Sequence, residues 1–181
     1  VNAYLLTFGG FLLFGGRLGD WYGQRKLFLI GMVAFTLASL ACGLATSQGT
    51  LIVARAVQGV GGAVVEAVAL SMVMAMYVEP AERAKAMGVY GFVAAGGGAL
   101  GVVACGILTQ AFSWHWTFLV NVPVGLVVFL MALKYLPKHE VAADKAKLDV
   151  AGALTVTASL VLAVYAIVNG NQLGWLSVHT L

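Results

Sequence analysis

Two ionisable residues, Arg55 and Glu66, stand inside one long apolar run, Leu51 to Tyr77. A charged group held away from water in such a run is costly. It normally faces other protein or a wet cavity, and it marks a pathway. Arg55, Gly59, Gly62 and Glu66 recur at three- and four-residue spacing, so they share one face of a helix, with Gln58 flanking them. At 1.5 Å of rise per residue, Arg55 and Glu66 are about 16 Å apart along the axis, too far for a direct ion pair. The stripe therefore reads as one wall of a polar cavity. Removing a carboxyl group from water favours its neutral form, which suits a group that takes up and releases a proton. The plainer readings are that Glu66 hydrogen-bonds a neighbouring helix and that Arg55 anchors helix-end carbonyls.

The elements that must hold these residues are long and greasy. Of 181 residues, 61% are apolar and 9% charged, with 10 Lys+Arg, 7 Asp+Glu and a net charge of +3. So few charges cannot coat a soluble globule of this size, since ordinary domains are about a quarter charged. A cytosolic enzyme and a disordered chain are excluded. Nucleic-acid binding is also disfavoured, because no basic patch is interleaved with aromatics. An integral membrane protein in contact with the lipid bilayer remains. A helix needs about 20 apolar residues to cross the hydrocarbon. Six segments qualify or nearly do: Val1 to Leu18, Leu27 to Ala45, Leu51 to Tyr77, Ala86 to Ala111, Trp116 to Leu136 and Val150 to Val168. Barrel strands fit poorly, because they alternate apolar and polar residues over short stretches. The fold class expected is all-α, a polytopic bundle of transmembrane helices.

Every basic residue but Arg55 falls in alternate loops: Arg17, Arg25 and Lys26; Arg83 and Lys85; then Lys134, Lys138, Lys145 and Lys147. The positive-inside rule places those loops in the cytoplasm, so the first span runs inward. Trp114, Trp116 and Trp175 lie near the opposite surface. Residues 1–136 are expected to form a partial N-terminal bundle of five spans. Residues 137–149 would be a cytoplasmic loop, and 150–181 a further span with an external segment. The chain opens on Val1 inside an apolar run, with no signal-peptide pattern, and stops without a tail. It reads as a fragment cut at both ends.

Other features carry less chemistry. Cys42 and Cys105 lie in apolar runs and read as buried thiols, and no metal-ligand spacing exists. His115, His139 and His179 are scattered. The fourth segment concentrates glycine at Gly88, Gly91, Gly96, Gly97, Gly98, Gly101 and Gly106. Gly96, Gly98 and Gly101 match a dinucleotide-binding string, but no strand precedes it. In a membrane helix, small residues four apart, such as Gly97 and Gly101, let two backbones approach closely, and a flat helix can also slide against its partner. Asp20 stands near the inner end of the first span, where a helix C-terminus disfavours an acid unless it is paired. Arg25 and Lys26 follow. A solvated loop charge and a state-dependent ion pair at a cytoplasmic gate are the two readings.

These stretches resemble signatures of the major facilitator superfamily. GRLGDWYGQRK resembles its loop motif through Gly16, Leu18, Asp20, Gly23 and Arg25, with Trp21 where a basic residue is usual. RAVQGVGG, Arg55 to Gly62, resembles the R-x-x-Q-G signature, whose arginine is implicated in proton coupling. Gly88, Gly97, Gly101 and Gly106 match the glycine-rich antiporter pattern. Val102 stands where that pattern has proline, removing a built-in kink, and Cys105 stands for a glycine. SWHWTFLVNVPVG is similar to a stretch of the fourteen-span drug:proton antiporters, with His115 for the usual arginine. Leu148 to Gly152 and Gly174-Trp175 are similar to that subfamily's seventh span. Glu66 is not a motif residue.

The resemblance implies a six-span part of a secondary active transporter in the inner (plasma) membrane, its C-terminal half missing. It would export drugs or other small hydrophobic or cationic compounds in exchange for protons by rocking of two bundles. The proton would be the coupling ion, with no other cofactor. Asp20 and Arg25 would hold the cytoplasmic gate, and Arg55 would tune the cavity acid. An importer or symporter of the same superfamily is the alternative, favoured by Val102. A non-transporting receptor or polytopic enzyme is a further one, although no nucleophile–base–acid set is visible.

Overall fold

A computed structural model of the chain describes residues 2–136 and 150–173. The described residues form helices α1 (Asn2–Tyr22), α2 (Gln24–Gly43), α3 (Gln48–Met76), α4 (Pro80–Ala111), α5 (Trp116–Leu119), α6 (Asn121–Tyr135) and α7 (Val150–Leu173). No strand occurs among them, so the all-α expectation holds. Four apolar stretches are long enough to cross a membrane: Gln24–Gly43, Gln48–Met76, Pro80–Ala111 and Trp116–Tyr135, the last comprising α5 and α6. The first and sixth expected spans are represented by shorter apolar cores, Ala3–Gly19 and Thr155–Ile167.

The helix ends follow local chemistry. Gly23 separates α1 from α2 at φ 89°, a conformation that costs a side chain with a Cβ dearly. This single position gives the loop motif its tight reversal. Ser47 and Thr50 close a reciprocal cap on α3: the Thr50 N–H donates to Ser47 Oγ at 3.2 Å, and the Ser47 N–H to Thr50 Oγ1 at 3.3 Å. Pro80 opens α4, where a missing N–H is harmless.

The sequence placed Arg83 and Lys85 in a loop, but the structure winds both into the first turns of α4. Arg83 turns back and donates to the carbonyls of Tyr77 (2.9 Å) and Met74 (3.3 Å). Those carbonyls end α3 and have no partner within the helix, and a cation complements the dipole there. Arg25 does the same for α6, donating from Nη2 to Leu133 O at 2.7 Å. Two basic residues expected on the cytoplasmic side thus bond the C-terminal ends of α3 and α6.

The bundle is built on α3. α1 and α2 pack most extensively against it, α2 also meets α5 and α6, and α7 lies against α1. Leu27, Phe28, Met32, Val64, Val68 and Ala132 form the apolar core between α2, α3 and α6. Close approach is made through glycine. A Cβ on Gly61 would lie 2.7 Å from the backbone nitrogen of Phe35, and one on Gly15 would lie 3.0 Å from Val64 Cα. By contrast, among the described residues α4 touches only α3 and α5, and none of its residues is buried against them.

Candidate functional site: a paired arginine and a carboxyl group on one helix

Arg55 lies in the N-terminal part of α3, reached from two other helices. Its Nη1 donates to Gln58 Oε1, one turn on, at 2.6 Å. The guanidinium carbon sits 4.3 Å from the ring centroid of Tyr4 on α1 and 5.4 Å from that of Phe118 on α5. Both aromatic faces attract the cation, and such contacts strengthen where water is excluded.

Gln58 is the hinge of a polar chain running into α2. With 2% exposure it must find partners for both ends of its amide. Its oxygen accepts from Arg55, and its Nε2 donates to Ser39 Oγ at 2.7 Å. Ser39, wholly buried, donates its own hydroxyl hydrogen bond to Phe35 O at 2.8 Å. Cys42 Sγ lies 3.9 Å from Gln58 Oε1. Cys42 is buried as the sequence implied, whereas Cys105 is only half-buried. Arg55 is therefore held by a relay Arg55–Gln58–Ser39, with all but the first link sealed from solvent.

Glu66 stands at the inner end of the same stripe, exposed, and accepts a hydrogen bond from the Tyr90 hydroxyl of α4 at 2.5 Å. The two glycines between the charges do not line an open cavity. A Cβ on Gly59 would collide with Thr7 and with the Tyr4 carbonyl of α1, and one on Gly62 would lie 3.1 Å from the Tyr4 hydroxyl. The face read as a cavity wall is open only at its ends, because α1 is laid into its middle. The Tyr4 side chain spans that covered stretch, with its ring on Arg55 and its hydroxyl at Gly62, toward Glu66.

The gate-motif residues run from α1 into α2. Gly16 faces Ala67 of α3, Gly23 makes the turn, and Arg25 reaches α6. Asp20 sits in the last turn of α1, but its side chain lies outside the described part, as do Lys138, Lys145, Lys147, Trp175, His139 and His179. The glycine-rich helix is placed apart from this cluster. Among the described residues nothing comes within 4 Å of a Cβ built at Gly88, Gly97, Gly101 or Gly106.

Sequence reasoning found Arg55, Gln58 and Glu66, but missed Tyr4, Ser39, Tyr90 and Phe118, which come from α1, α2, α4 and α5. Ser39 had a usable signal: it and Thr36 are the two hydroxyls of an otherwise apolar span, and each must find an acceptor.

A multi-pass helical bundle that keeps a polar relay and a carboxyl group among apolar helices has the build of a membrane transport protein rather than of an enzyme or a receptor. The chain belongs to the Major Facilitator Superfamily, whose model matches residues 1–179. It is 43% identical to the puromycin resistance protein pur8 of Streptomyces alboniger, over 97% of this chain and 34% of that protein. It is 42% identical to the cephamycin export protein CmcT of Amycolatopsis lactamdurans, over 97% of this chain and 36% of the relative. With the multidrug resistance protein Stp of Mycobacterium tuberculosis (strain CDC 1551 / Oshkosh) the identity is 37%, over 100% of this chain and 34% of the relative. The chain thus spans about a third of the length of these relatives.

Proposed function

We propose that these residues are the N-terminal part of a fourteen-span, proton-coupled efflux antiporter of the inner membrane, which moves small hydrophobic or cationic compounds by alternating access. The observation that carries the reading is an ionisable carboxyl group, Glu66, on the same helical stripe as an arginine held by Tyr4, Gln58 and Phe118. The relatives named for antibiotic resistance and export support the substrate class. In this mechanism a proton from outside neutralises Glu66 and releases the compound. Return to the inward-facing state discharges the proton to the cytoplasm. Arg55 biases the charge state of the carboxyl group, and Asp20 with Arg25 closes the cytoplasmic side.

The test is made on the longer transporter in everted vesicles with an acid interior, using ethidium as the probe. Antiport fills the vesicles with ethidium, and collapse of the pH gradient empties them. Glu66→Gln should abolish or alter that coupling while membrane insertion stays intact. Unchanged pH-dependent transport would refute the role of Glu66. Symport is the second reading, favoured by α4 running unbroken through Val102 where antiporters carry proline. It requires the opposite flux, with an acid interior driving the probe out.

A further inference from the structure

We propose that Tyr90 is the positioning residue of Glu66: its hydroxyl holds the ionised carboxyl group, and through that bond α4 is tied to α3 according to the charge on Glu66. The inference rests on the reading of Glu66 as proton carrier.

Three observations support it. Among the described residues, α3 and α4 scarcely pack on one another and no residue of α4 is buried, so the polar bonds between them stand out as what joins the pair. Arg83 supplies such bonds at the inner turn, to Met74 and Tyr77, while Tyr90 bonds Glu66 about 10 Å further along α4 at 1.5 Å per residue. Beyond Tyr90, among the described residues, the next bond from α4 to another helix joins Thr109 to Thr117 at 3.2 Å, near its C-terminal end.

The chemistry distinguishes the two states of the carboxyl group. A phenol donates to a carboxylate in a charge-assisted bond, roughly twice as strong as a neutral one. Once Glu66 takes a proton from the aqueous side, the carboxyl becomes a donor itself and the link reverts to an ordinary neutral hydrogen bond. The helix pair is therefore held more tightly before proton uptake than after it.

The other charged or titratable groups near Glu66 can be named by helix. α1 brings Tyr4, whose hydroxyl lies at Gly62, and the exposed Arg17, next to the Gly16 that faces Ala67. α3 itself carries Arg55. α2 brings Arg25 and Lys26 only at its inner end, where Arg25 is engaged with α6. α4 carries Glu82, Arg83 and Lys85 in its first turns, with Arg83 engaged with the end of α3. Among these, Tyr90 is the group that donates directly to the carboxyl oxygen.

The test compares Tyr90→Phe, Glu66→Gln and the double variant in the longer transporter, reading the pH profile of ethidium flux. Losing a donor to the charged form favours the protonated form. Tyr90→Phe should therefore move the midpoint of the profile up by about one unit. In the Glu66→Gln background the same change should move nothing. A second readout needs no turnover: in purified protein, the infrared band of the protonated carboxyl assigned by Glu66→Gln should titrate with the same upward displacement in Tyr90→Phe. If Glu66→Gln removes the pH step but Tyr90→Phe leaves both midpoints at their original values, the role of Tyr90 is overturned and that of Glu66 stands. If Glu66→Gln leaves the profile unaltered, the underlying reading of Glu66 fails and this inference fails with it.

Discussion

Helices α3 and α4 both carry several glycines, and the structure uses them in opposite ways. In α3, Gly59 and Gly61 are buried where neighbouring backbones press against them: Gly59 takes the main chain of α1 at Tyr4, and Gly61 takes that of α2 at Phe35. In α4, Gly88, Gly97, Gly101 and Gly106 face open space among the described residues. Small residues permit close packing of membrane helices, but they do not compel it. The difference lies in what the neighbours bring. α3 sits between two helices whose own small residues, Gly15 and Gly31, meet Val64 and Val65. Among the described residues, α4 is bonded to the other helices through an arginine, a tyrosine and a threonine. The comparison separates a framework helix, fixed by contacts that cannot give, from a loosely attached one whose position rests on a few polar bonds.

The sharpest way to break this comparison is at Gly61. A leucine there would drive its side chain into the α2 main chain, and backbone cannot swing aside as a long side chain can. Gly61→Leu should lower stability by about 3 kcal/mol or more, the upper range for overpacking. It would be seen as loss of inserted protein or a collapsed melting temperature in detergent. A melting temperature like that of the parent would show that α2 and α3 do not pack as described.

Next in size is Ser39→Ala. It removes the acceptor for the Gln58 amide in a position sealed from water, and an orphaned buried donor costs about 1–3 kcal/mol. The thermal midpoint should fall, and transport should fall with it, because the other end of that amide holds Arg55. Ser39→Thr, which keeps the hydroxyl, should restore most of both. Equal loss in the two variants would point to packing rather than to the relay.

How much of this was legible beforehand follows from what periodicity can and cannot encode. Apolar length gave the helices, and helical spacing put Arg55, Gln58 and Glu66 on neighbouring faces of α3. Spacing along one helix says nothing about what another helix lays on top. Gly59 and Gly62 belonged to the right stripe, yet the stripe is filled by α1, because Tyr4 and Thr7 are brought there by the reversal at Gly23 and the close packing of α1 on α3. Tyr90 is similar, since no local pattern ties it to Glu66, twenty-four positions earlier. The family motifs marked Arg55 and Gln58, but they carry no term for Ser39, the residue that satisfies the far end of the amide. Arg83 and Lys85 were assigned to a loop rather than to α4, because charge patterning marks a membrane face while helix caps are set by unpaired carbonyls.

The smallest effect is the most discriminating for α4. Glycine in a helix interior is about 0.5–1 kcal/mol less favourable than alanine. In α3 that loss is offset by close contact, whereas at Gly97 the described residues offer nothing to offset it. Gly97→Ala should therefore raise the stability of the isolated 181-residue chain by up to about 1 kcal/mol, measured as the denaturant midpoint in detergent. The same change in the longer transporter tests what covers this face. If stability rises there too, α4 meets no close neighbour at Gly97 and its many glycines act only by keeping the helix smooth. If stability falls, a helix from beyond these residues lies against Gly97 as α2 lies against Gly61. The two glycine-rich helices would then differ only in where their partners come from. A rise in stability together with slower ethidium flux would place the glycines in the motion itself, since a methyl group that stabilises the resting helix while hindering turnover must obstruct a position the helix passes through.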